Sequence, residues 1–393
     1  MTSWDILDLR ALVTDGQLFR PPADGNRVEA FIPPMGHENH AANLVELPNG
    51  DLLCVWFDGS AEGSGDIKIA LARLPAGAAR WTPPVWVSGD PQRSEQNPVL
   101  FPAPDGKLWL LYTAQLTRGC TREEWARRVA AGEARGGFTM QHTAIIRRRI
   151  SADGGRTWGP VETFSADPGS FCRQPMLVMG NGEWLFPMYF SRPAAGYGDD
   201  HSVVRISADG FCTWQEFAVP ECRGRVQMSV AELAAGWLIA FFRSRAADRI
   251  YSSRSADDGR TWTPPQRTIL PNNNASIQAL KLHSGRLAIV FNNHSANDDP
   301  AKTVWPAERY PVTIALSEDG GETWPFMRHI DTGDDFAGPA NKHLNRRCGY
   351  PCLLQTRDGL IHVAYSYRPR QCIKYVRFSE GWVMDQRDGV FGG

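Results

Sequence analysis

Six residues stand nine positions before a glycine in six similar segments of the chain, and five of the six are polar or charged. They are Ala41, Asn97, Arg173, Gln227, Ser276 and Tyr350. A guanidinium can hold an anion, a phenol can transfer a proton, and amides and hydroxyls can hydrogen-bond a ligand. Because each residue precedes an otherwise apolar run, the set predicts a ligand site where these runs begin. The alternative for any one of them is a strand-end side chain that is bonded to solvent.

The segments that must position these residues are predicted hairpins. An apolar stretch, a turn glycine and a second apolar stretch recur six times, and the second stretches end at Trp56, Tyr112, Tyr189, Phe242, Phe291 and Tyr365. The turn glycines are Gly50, Gly106, Gly182, Gly236, Gly285 and Gly359. A third strand follows each hairpin, as at residues 66–73 and 311–317, and a short fourth strand completes the unit.

A turn motif with the pattern S-x-D-x-G-x-T-W, the Asp-box, lies between the third and fourth strands. Its four copies begin at Ser151, Ser207, Ser255 and Ser317, at intervals of 56, 48 and 62 residues. The Ser, Asp and Thr side chains are suited to cap backbone groups of a tight turn, Gly takes the left-handed position, and Trp anchors the turn. The second copy has Phe211 in place of this glycine, which predicts a remodelled turn. The motif indicates a scaffold and not a catalytic site.

A four-stranded unit that repeats at roughly fifty residues or more is typical of a β-propeller. The sequence therefore predicts an all-β fold, a six-bladed β-propeller of four-stranded antiparallel blades, as one domain over residues 1–393. The expected blades are 41–87, 97–164, 173–218, 227–268, 276–330 and 350–385. The outer strand of the last blade could come from residues 382–385 or from residues 28–32.

Composition excludes several classes of function. A formal net charge of −1 argues against a general nucleic-acid surface. No apolar run is long enough to span a membrane, and the start MTSWDILDLR has no basic-then-apolar signal. The eight cysteines have no zinc-type spacing, so reduced thiols in a cytoplasmic protein are expected. We expect no metal and no cofactor, and the oligomeric state stays open.

Three insertions are expected on the same face as the predicted site. In a propeller the first strand's start, the second strand's end and the third strand's start meet at one face, and residues 114–141, 293–308 and 331–349 fall there. Insertions on one face indicate a lid or a specificity wall, and tolerated loop growth is the alternative. Within the first insertion, Thr121-Arg-Glu-Glu124 predicts the start of a helix with a capping box.

With these repeats, essentially the whole chain resembles the sialidase superfamily of Asp-box propellers. In that family three arginines hold the substrate carboxylate, a Tyr activated by a Glu is the nucleophile, and an Asp is the general acid. The resemblance implies that Tyr350 is the nucleophile, since Gly349-Tyr350-Pro351 holds its place before the last inner strand. It also implies that Arg243 in FFRSR and Arg309 before residues 312–317 are the second and third arginines.

The chain departs from the family pattern at several positions. The first arginine falls on His40, whose imidazole is suited to acid–base work or to a structural hydrogen bond. The Tyr-activating Glu falls on Gln227, which cannot take a proton at neutral pH. The general acid should lie in the loop at residues 58–66, where Glu62 is the first choice and Asp58 could instead cap the turn. Arg173 is an extra cation that has no counterpart in the family triad.

Three functions fit this inventory. The first is a sialidase-like exo-glycoside hydrolase on an acidic oligosaccharide, in which Arg243 and Arg309 hold the carboxylate with help from Arg173 or His40. Tyr350 would then attack, Glu62 would protonate the leaving oxygen, and Asn97, Ser276 and Asp58 would contact substrate. No carboxylate is available to activate Tyr350 in this scheme.

The second function is a lyase that eliminates at a uronic acid. Arg243, Arg309 and Gln227 would neutralise the carboxylate, while His40 and Tyr350 would serve as base and acid. This inventory fits the departures, whereas the family resemblance favours hydrolysis, and the fold alone does not decide. The third function is a non-catalytic glycan-binding propeller, which predicts no turnover.

Overall fold

The computed structural model describes residues 12–192, 197–333 and 347–385, and over these ranges the molecule is an all-β protein. The described chain forms 25 strands, two α-helices and two 3-10 turns. The helices are α1 (Arg122–Ala130) and α2 (Glu380–Met384), and the 3-10 turns are Gln141–Thr143 and Tyr197–Asp199. The all-β prediction is confirmed. None of the described helices is long and apolar enough to cross a membrane.

Three sheets are each built from four antiparallel strands that follow one another along the chain. The first contains β2 (His40–Glu46), β3 (Leu52–Asp58), β4 (Lys68–Leu74) and β5 (Val85–Trp86). The second contains β6 (Arg93–Pro102), β7 (Leu108–Leu116), β8 (Ile145–Ser151) and β9 (Glu162–Ser165). The third of this kind contains β19 (Gln278–Lys281), β20 (Leu287–Asn292), β21 (Val312–Ser317) and β22 (Phe326–Asp331).

A nine-stranded sheet lies between these in the sequence and consists of two groups. The first group is β10 (Ser170–Phe171), β11 (Leu177–Val178), β12 (Trp184–Phe190), β13 (His201–Ser207) and β14 (Gln215–Ala218). The second group is β15 (Arg225–Ala234), β16 (Trp237–Ser244), β17 (Arg249–Ser255) and β18 (Gln266–Pro271). A single parallel residue pair, His201 opposite Arg225, joins the groups.

The last sheet combines both ends of the described chain. Its strands are β23 (Gly349–Gln355), β24 (Ile361–Tyr367), β25 (Cys372–Phe378) and, outermost, β1 (Val28–Ile32). β1 pairs with β25 through five residue pairs, whereas Trp382 lies in α2. Of the two segments that the sequence left open for this position, residues 28–32 therefore occupy it.

The hydrophobic core is divided into clusters that lie between neighbouring groups of strands. Six of these clusters join consecutive groups in turn. One of them packs Trp56 of the first sheet against Tyr375 and Ala30 of the last sheet. Each group of strands therefore packs against the next group, and the last group packs against the first.

The turns follow the sequence prediction closely. Each predicted turn glycine separates two antiparallel strands and has a φ between +78° and +89°, which is the left-handed region. In the first Asp-box, Ser151 Oγ accepts from Gly155 N at 2.8 Å, and Asp153 Oδ2 accepts from Thr157 Oγ1 at 2.6 Å. Helix α1 begins as predicted, because Thr121 Oγ1 accepts from Glu124 N at 3.1 Å. Cys54, Cys172, Cys222, Cys352 and Cys372 are buried free thiols.

Candidate active site

The inner strands begin with backbone irregularities that direct side chains into the centre of the molecule. Ala41, Asn97, Gln227 and Tyr350 have φ values between +49° and +60°. At each of them the register with the next strand shifts, which marks a β-bulge. Bulges of this kind re-aim a side chain at the end of a sheet. Tyr350 is thus held in a conformation that few non-glycine residues adopt.

Arg173 connects four groups of strands across this centre. Its Nε donates to Ser276 Oγ at 3.0 Å, Nη1 donates to the Ala42 carbonyl at 3.0 Å, and Nη2 donates to the Tyr350 carbonyl at 3.1 Å. The side chain is 2 % exposed. Its hydrogen bonds are therefore used within the protein, and Ser276 is one of its acceptors. Asn97 is buried nearby, and its carbonyl accepts from Cys172 Sγ at 3.3 Å.

Tyr350 and Arg243 are in direct contact. Arg243 Nη1 donates to the phenol oxygen of Tyr350 and also to Gln227 Oε1 at 3.2 Å, while its Nε donates to Asn274 Oδ1 at 2.7 Å. Among the described residues, Arg243 Nη2 and Gln227 Nε2 are buried without a hydrogen-bond partner. Buried donors without partners are rare, so these two atoms indicate a place for an acceptor from a ligand.

The surroundings of Tyr350 favour its phenolate. Burial raises the pKa of the phenol, but the positive charges of Arg243 and Arg309 outweigh burial and lower it to about 7. The Arg309 guanidinium carbon lies 5.0 Å from the centre of the Tyr350 ring. Burial, opposed by Tyr350, lowers the pKa of Arg309 to about 10, so this residue stays a cation at neutral pH.

His40 packs against Tyr350, with ring centres 4.1 Å apart. Its Nδ1 is 2.6 Å from Ser366 Oγ, and its Nε2 is 3.5 Å from Arg309 Nη1. Burial and the charges of Arg370 and Arg309 hold the pKa of His40 well below its usual value. The imidazole is therefore neutral at physiological pH.

A cavity of about 230 Å³ opens beside these residues, and His40, Glu62, Arg309 and Arg370 contribute to its wall. Glu62 Oε2 is 2.8 Å from Arg370 Nη1, and Glu38 Oε1 is 2.5 Å from the same atom. Burial raises the pKa of Glu62, but the charge and hydrogen bond of Arg370 together with the charges of Arg309 and Arg122 outweigh burial, and the pKa is lowered. Glu62 is thus a carboxylate in this state of the protein.

Asp58 lies apart from this arrangement and shapes the loop before Glu62. It is fully buried, and its Oδ2 accepts from the backbone N–H groups of Met35 and Gly36, both at 2.8 Å. Its Oδ1 accepts from Gly59 N at 2.7 Å. These contacts are those of a residue that caps a turn, which is the alternative role that the sequence suggests for Asp58. A larger cavity of about 680 Å³, bordered by Phe190, contains none of the predicted site residues.

The predicted insertions form part of the rim of the cavity that His40 and Arg309 border. Trp305 is 46 % exposed and packs edge-on against Tyr197 at 5.3 Å. The Arg245 guanidinium carbon lies 4.8 Å from the Trp305 ring centre, and Arg245 Nη2 is 2.6 Å from Asp200 Oδ2. Of the predicted insertion at residues 331–349, residues 334–346 lie outside the described part of the chain.

Sequence reasoning missed two residues of the site, Arg370 and Asn274. Arg370 belongs to the turn between β24 and β25. This turn holds the same position in its sheet as the loop after β3 holds in the first sheet, where the sequence predicts the general acid. Asn274 precedes the predicted strand start in its group and has a φ of +54°. A search of every loop between second and third strands would have found Arg370.

Comparisons with known proteins assign this all-β fold to a family. A family model described as a BNR repeat-like domain matches residues 50–363. The chain belongs to this BNR repeat-like family.

The relatives are distant. A sialidase of Bacteroides fragilis (strain YCH46) is 25% identical over 366 residues, which span 84% of this chain. The chain spans about 61% of the length of that relative.

Solved structures show the same fold at low sequence identity. The Hadza microbial sialidase Hz136 superposes with a TM-score of 0.68 at 20% identity, covering 88% of this chain and 66% of its own. The NanB sialidase from Streptococcus pneumoniae gives 0.67 at 13% identity, covering 94% and 71%. A protein of unknown function from Dyadobacter fermentans gives 0.68 at 16% identity, covering 90% and 98%.

Proposed function

We propose that this protein is a sialidase-like exo-glycoside hydrolase that acts on a carboxylate-bearing sugar. We further propose that its strands form one six-bladed propeller with four-stranded blades. The six core clusters between consecutive groups of strands support this number of blades. The single residue pair between β13 and β15 supports division of the nine-stranded sheet into two blades.

The environment of the Tyr350 phenol carries the proposal. Arg243 donates to the phenol oxygen, and together with Arg309 it lowers the pKa to about 7 although the side chain is partly buried. A phenolate is a better nucleophile than a phenol, and a depressed pKa is a recognised route to activation. The positive field therefore replaces the carboxylate base that the sequence lacks at Gln227.

The proposed reaction has two steps. Arg243 and Arg309 hold the substrate carboxylate, and the Tyr350 oxygen bonds to the anomeric carbon while the bond to the leaving oxygen breaks. The leaving oxygen takes a proton, for which Glu62 is the candidate donor once it has been protonated. In the second step water attacks the anomeric carbon, the Tyr350–carbon bond breaks, and the acceptor of the water proton is the same carboxylate.

Elimination at a uronic acid is the second candidate function, and His40 favours it. Its neutral imidazole packs 4.1 Å from the Tyr350 ring centre and adjoins Arg309. Within the described part of the chain, no carboxylate is bonded to the Tyr350 phenol. A neutral base beside a phenol, with arginines to neutralise a carboxylate, is the inventory that an elimination requires.

Product masses after incubation with carboxylate-bearing oligosaccharides test the proposal. Hydrolysis gives products that sum to the substrate plus one water, whereas elimination gives products that sum to the substrate, one of them unsaturated. Tyr350→Phe should abolish either reaction, and Tyr197→Phe on the rim is the matched control that should remain active. Turnover that survives in Tyr350→Phe would contradict the assignment, and no turnover across the panel would favour a glycan-binding protein.

A further inference from the structure

Arg370 is a charged residue of the cavity that the proposed reaction does not yet use. It lies in the turn between β24 and β25 with a φ of +58°. Its side chain is 23 % exposed and borders the cavity together with His40 and Arg309. Both of its ion pairs, to Glu38 and to Glu62, are made by Nη1. Within the described part of the chain, its Nη2 makes no hydrogen bond, so a planar donor group remains for an anion.

Other arginines near the centre are occupied by the protein itself. Arg173 donates to Ser276, to the Ala42 carbonyl and to the Tyr350 carbonyl. Arg245 donates through Nε and Nη2 to the buried Asp200, at 3.0 and 2.6 Å. Arg122 donates to the Glu62 carbonyl at 2.5 Å. Of the described arginines that remain, Arg309, Arg347 and Arg370 border the cavity and Arg243 contacts the Tyr350 phenol.

Arg370 also stands close to the position at which this chain lacks an arginine. His40 occupies that position, and after burial the charge of Arg370 is the largest influence on its pKa, ahead of Arg309. Arg370 and Arg309 both border the cavity, and they come from two different groups of strands. The charges that line the cavity are four arginines against two carboxylates, an excess that suits an anionic ligand.

We infer that Arg370 is a further substrate-binding residue, and that the substrate carboxylate binds it with Arg309 and displaces Glu62 from it. The inference rests on the proposed function, since it assumes an acidic sugar in this cavity. The residues expected to bind the substrate carboxylate are then Arg243, Arg309 and Arg370. The role that remains for Arg173 is to hold the backbone of Tyr350 in place.

The exchange explains how Glu62 becomes an acid. In the free protein Arg370 offsets the cost of burying the Glu62 charge, while Glu38 competes for the same donor and Tyr350, Arg309 and Arg122 lie around it. When a substrate carboxylate takes over Arg370, Glu62 loses its largest stabilising partner and gains a negative neighbour. Both changes raise its pKa, so a proton from solvent binds Glu62 Oε2 before the leaving oxygen requires one.

Calorimetric titration with N-acetylneuraminic acid and with D-glucuronic acid, and with their methyl esters, tests the inference independently of turnover. Arg370→Met should weaken binding of the preferred acid about tenfold or more, because a charge-assisted contact is lost, and Arg370→Lys should recover part of it. Arg122→Met removes an arginine from the same cavity, and should change affinity by less than about threefold. Affinity for the neutral ester should be unchanged in all variants.

Proton exchange separates this role from a general charge effect. Titrations near pH 6 in buffers of different ionisation enthalpy should show uptake of about one proton per bound acid, and Glu62→Gln should abolish that uptake. The inference would be overturned if Arg370→Met and Arg122→Met lost the same affinity. It would also be overturned if the wild-type protein bound the acid no better than the ester, or bound the acid without proton uptake. If these binding results were obtained but the protein hydrolysed no substrate, only the proposed reaction would be overturned.

Discussion

Tyr350 owes its acidity to neighbouring charges and not to a base. Gln227 is consistent with this arrangement, because its amide oxygen accepts from Arg243 at 3.2 Å without neutralising the guanidinium. A carboxylate at that position would both accept a proton and weaken the field that lowers the pKa of Tyr350. The substitution of an amide for a carboxylate therefore exchanges one means of activation for another.

The first prediction concerns pH. The reaction needs the Tyr350 phenolate and a protonated Glu62 together, so kcat/KM for hydrolysis should fall as the pH increases through about 7, where the pair loses its one remaining proton. Arg243→Met removes the largest charge that favours the phenolate, so the midpoint should move up towards 10, the ordinary value for tyrosine. The pH dependence of kcat/KM, together with an ultraviolet difference titration against Tyr350→Phe, measures both midpoints.

Arg122→Met serves as the control, and its midpoint should stay near 7. A midpoint that does not move in Arg243→Met would show that another group controls the ionisation.

Gly349 is the subject of a second prediction at this scale. A Cβ at this position would lie 2.9 Å from Arg309 Cδ and 3.2 Å from Arg309 Nη1, so Gly349→Ala must displace the Arg309 side chain. We expect KM for an acidic substrate to rise about tenfold, which corresponds to roughly 1.4 kcal/mol of lost binding, with a smaller change in kcat. Steady-state kinetics would measure this split.

Gly381→Ala is the matched control, since the nearest atom to a Cβ there is Ser379 Oγ at 3.7 Å. A kcat loss that exceeds the KM change would argue that Gly349 acts on Tyr350 and not on Arg309.

At the scale of the element, the Asp-box turns behave alike even where the sequence differs. Phe211 adopts a φ of +64°, close to the +82° and +83° of the equivalent Gly155 and Gly259. Its ring is buried and packs among Trp184, Phe186 and other aromatic side chains. Packing therefore offsets the strain of a left-handed phenylalanine.

This balance predicts an unusual order of stabilities. Phe211→Ala should lower the free energy of unfolding by about 3 kcal/mol or more, because the aromatic contacts are lost and the strain remains. Phe211→Gly loses the same contacts but relieves the strain, so it should be about 1 kcal/mol less damaging than Phe211→Ala. Urea unfolding of both variants measures the difference, and an alanine variant as stable as the glycine variant would exclude backbone strain.

Elements were predictable from the sequence where one residue type fixes the local backbone. The six turn glycines located the hairpins, and Thr121 with Glu124 located the start of α1. The inner strand of the third unit was expected to begin at Arg173, but the structure has two short strands, β10 and β11, on either side of this residue. Between them Pro175 has no N–H to donate, and the Gln174 side chain donates through Nε2 to the Ile277 carbonyl, next to β19, at 2.5 Å.

The outermost strand of the last sheet depended on contacts distant in sequence. Lys374 on β25 is 3.2 Å from Glu29 on β1 and 2.9 Å from Asp331 on β22, and all three are buried. Neither residues 28–32 nor residues 382–385 carry a local signal that separates them. Arg370 was missed for a related reason, since its role depends on Glu62 and His40, which lie on another sheet.

At the scale of the whole molecule, Arg173 links the centre of the fold to the site. Its guanidinium joins residues from four groups of strands, including the backbone of Tyr350, and it is almost completely buried. A buried cation without a carboxylate partner is costly unless its donors are all used. The carbonyls of Ala42, Tyr350 and Pro351 satisfy it, so the strands that surround the centre are held together by one side chain.

Removal of this side chain should therefore affect stability and activity together. Arg173→Met leaves several buried acceptors without donors, and we expect it to lower the free energy of unfolding by about 3 kcal/mol. Ser276→Ala removes one acceptor only and should cost about 1 kcal/mol. Urea unfolding compares the two, and at temperatures where Arg173→Met is still folded its kcat should fall because Tyr350 is no longer fixed. If Arg173→Met were no less stable than Ser276→Ala, or kept full kcat, Arg173 would not be the residue that couples the sheets to the nucleophile.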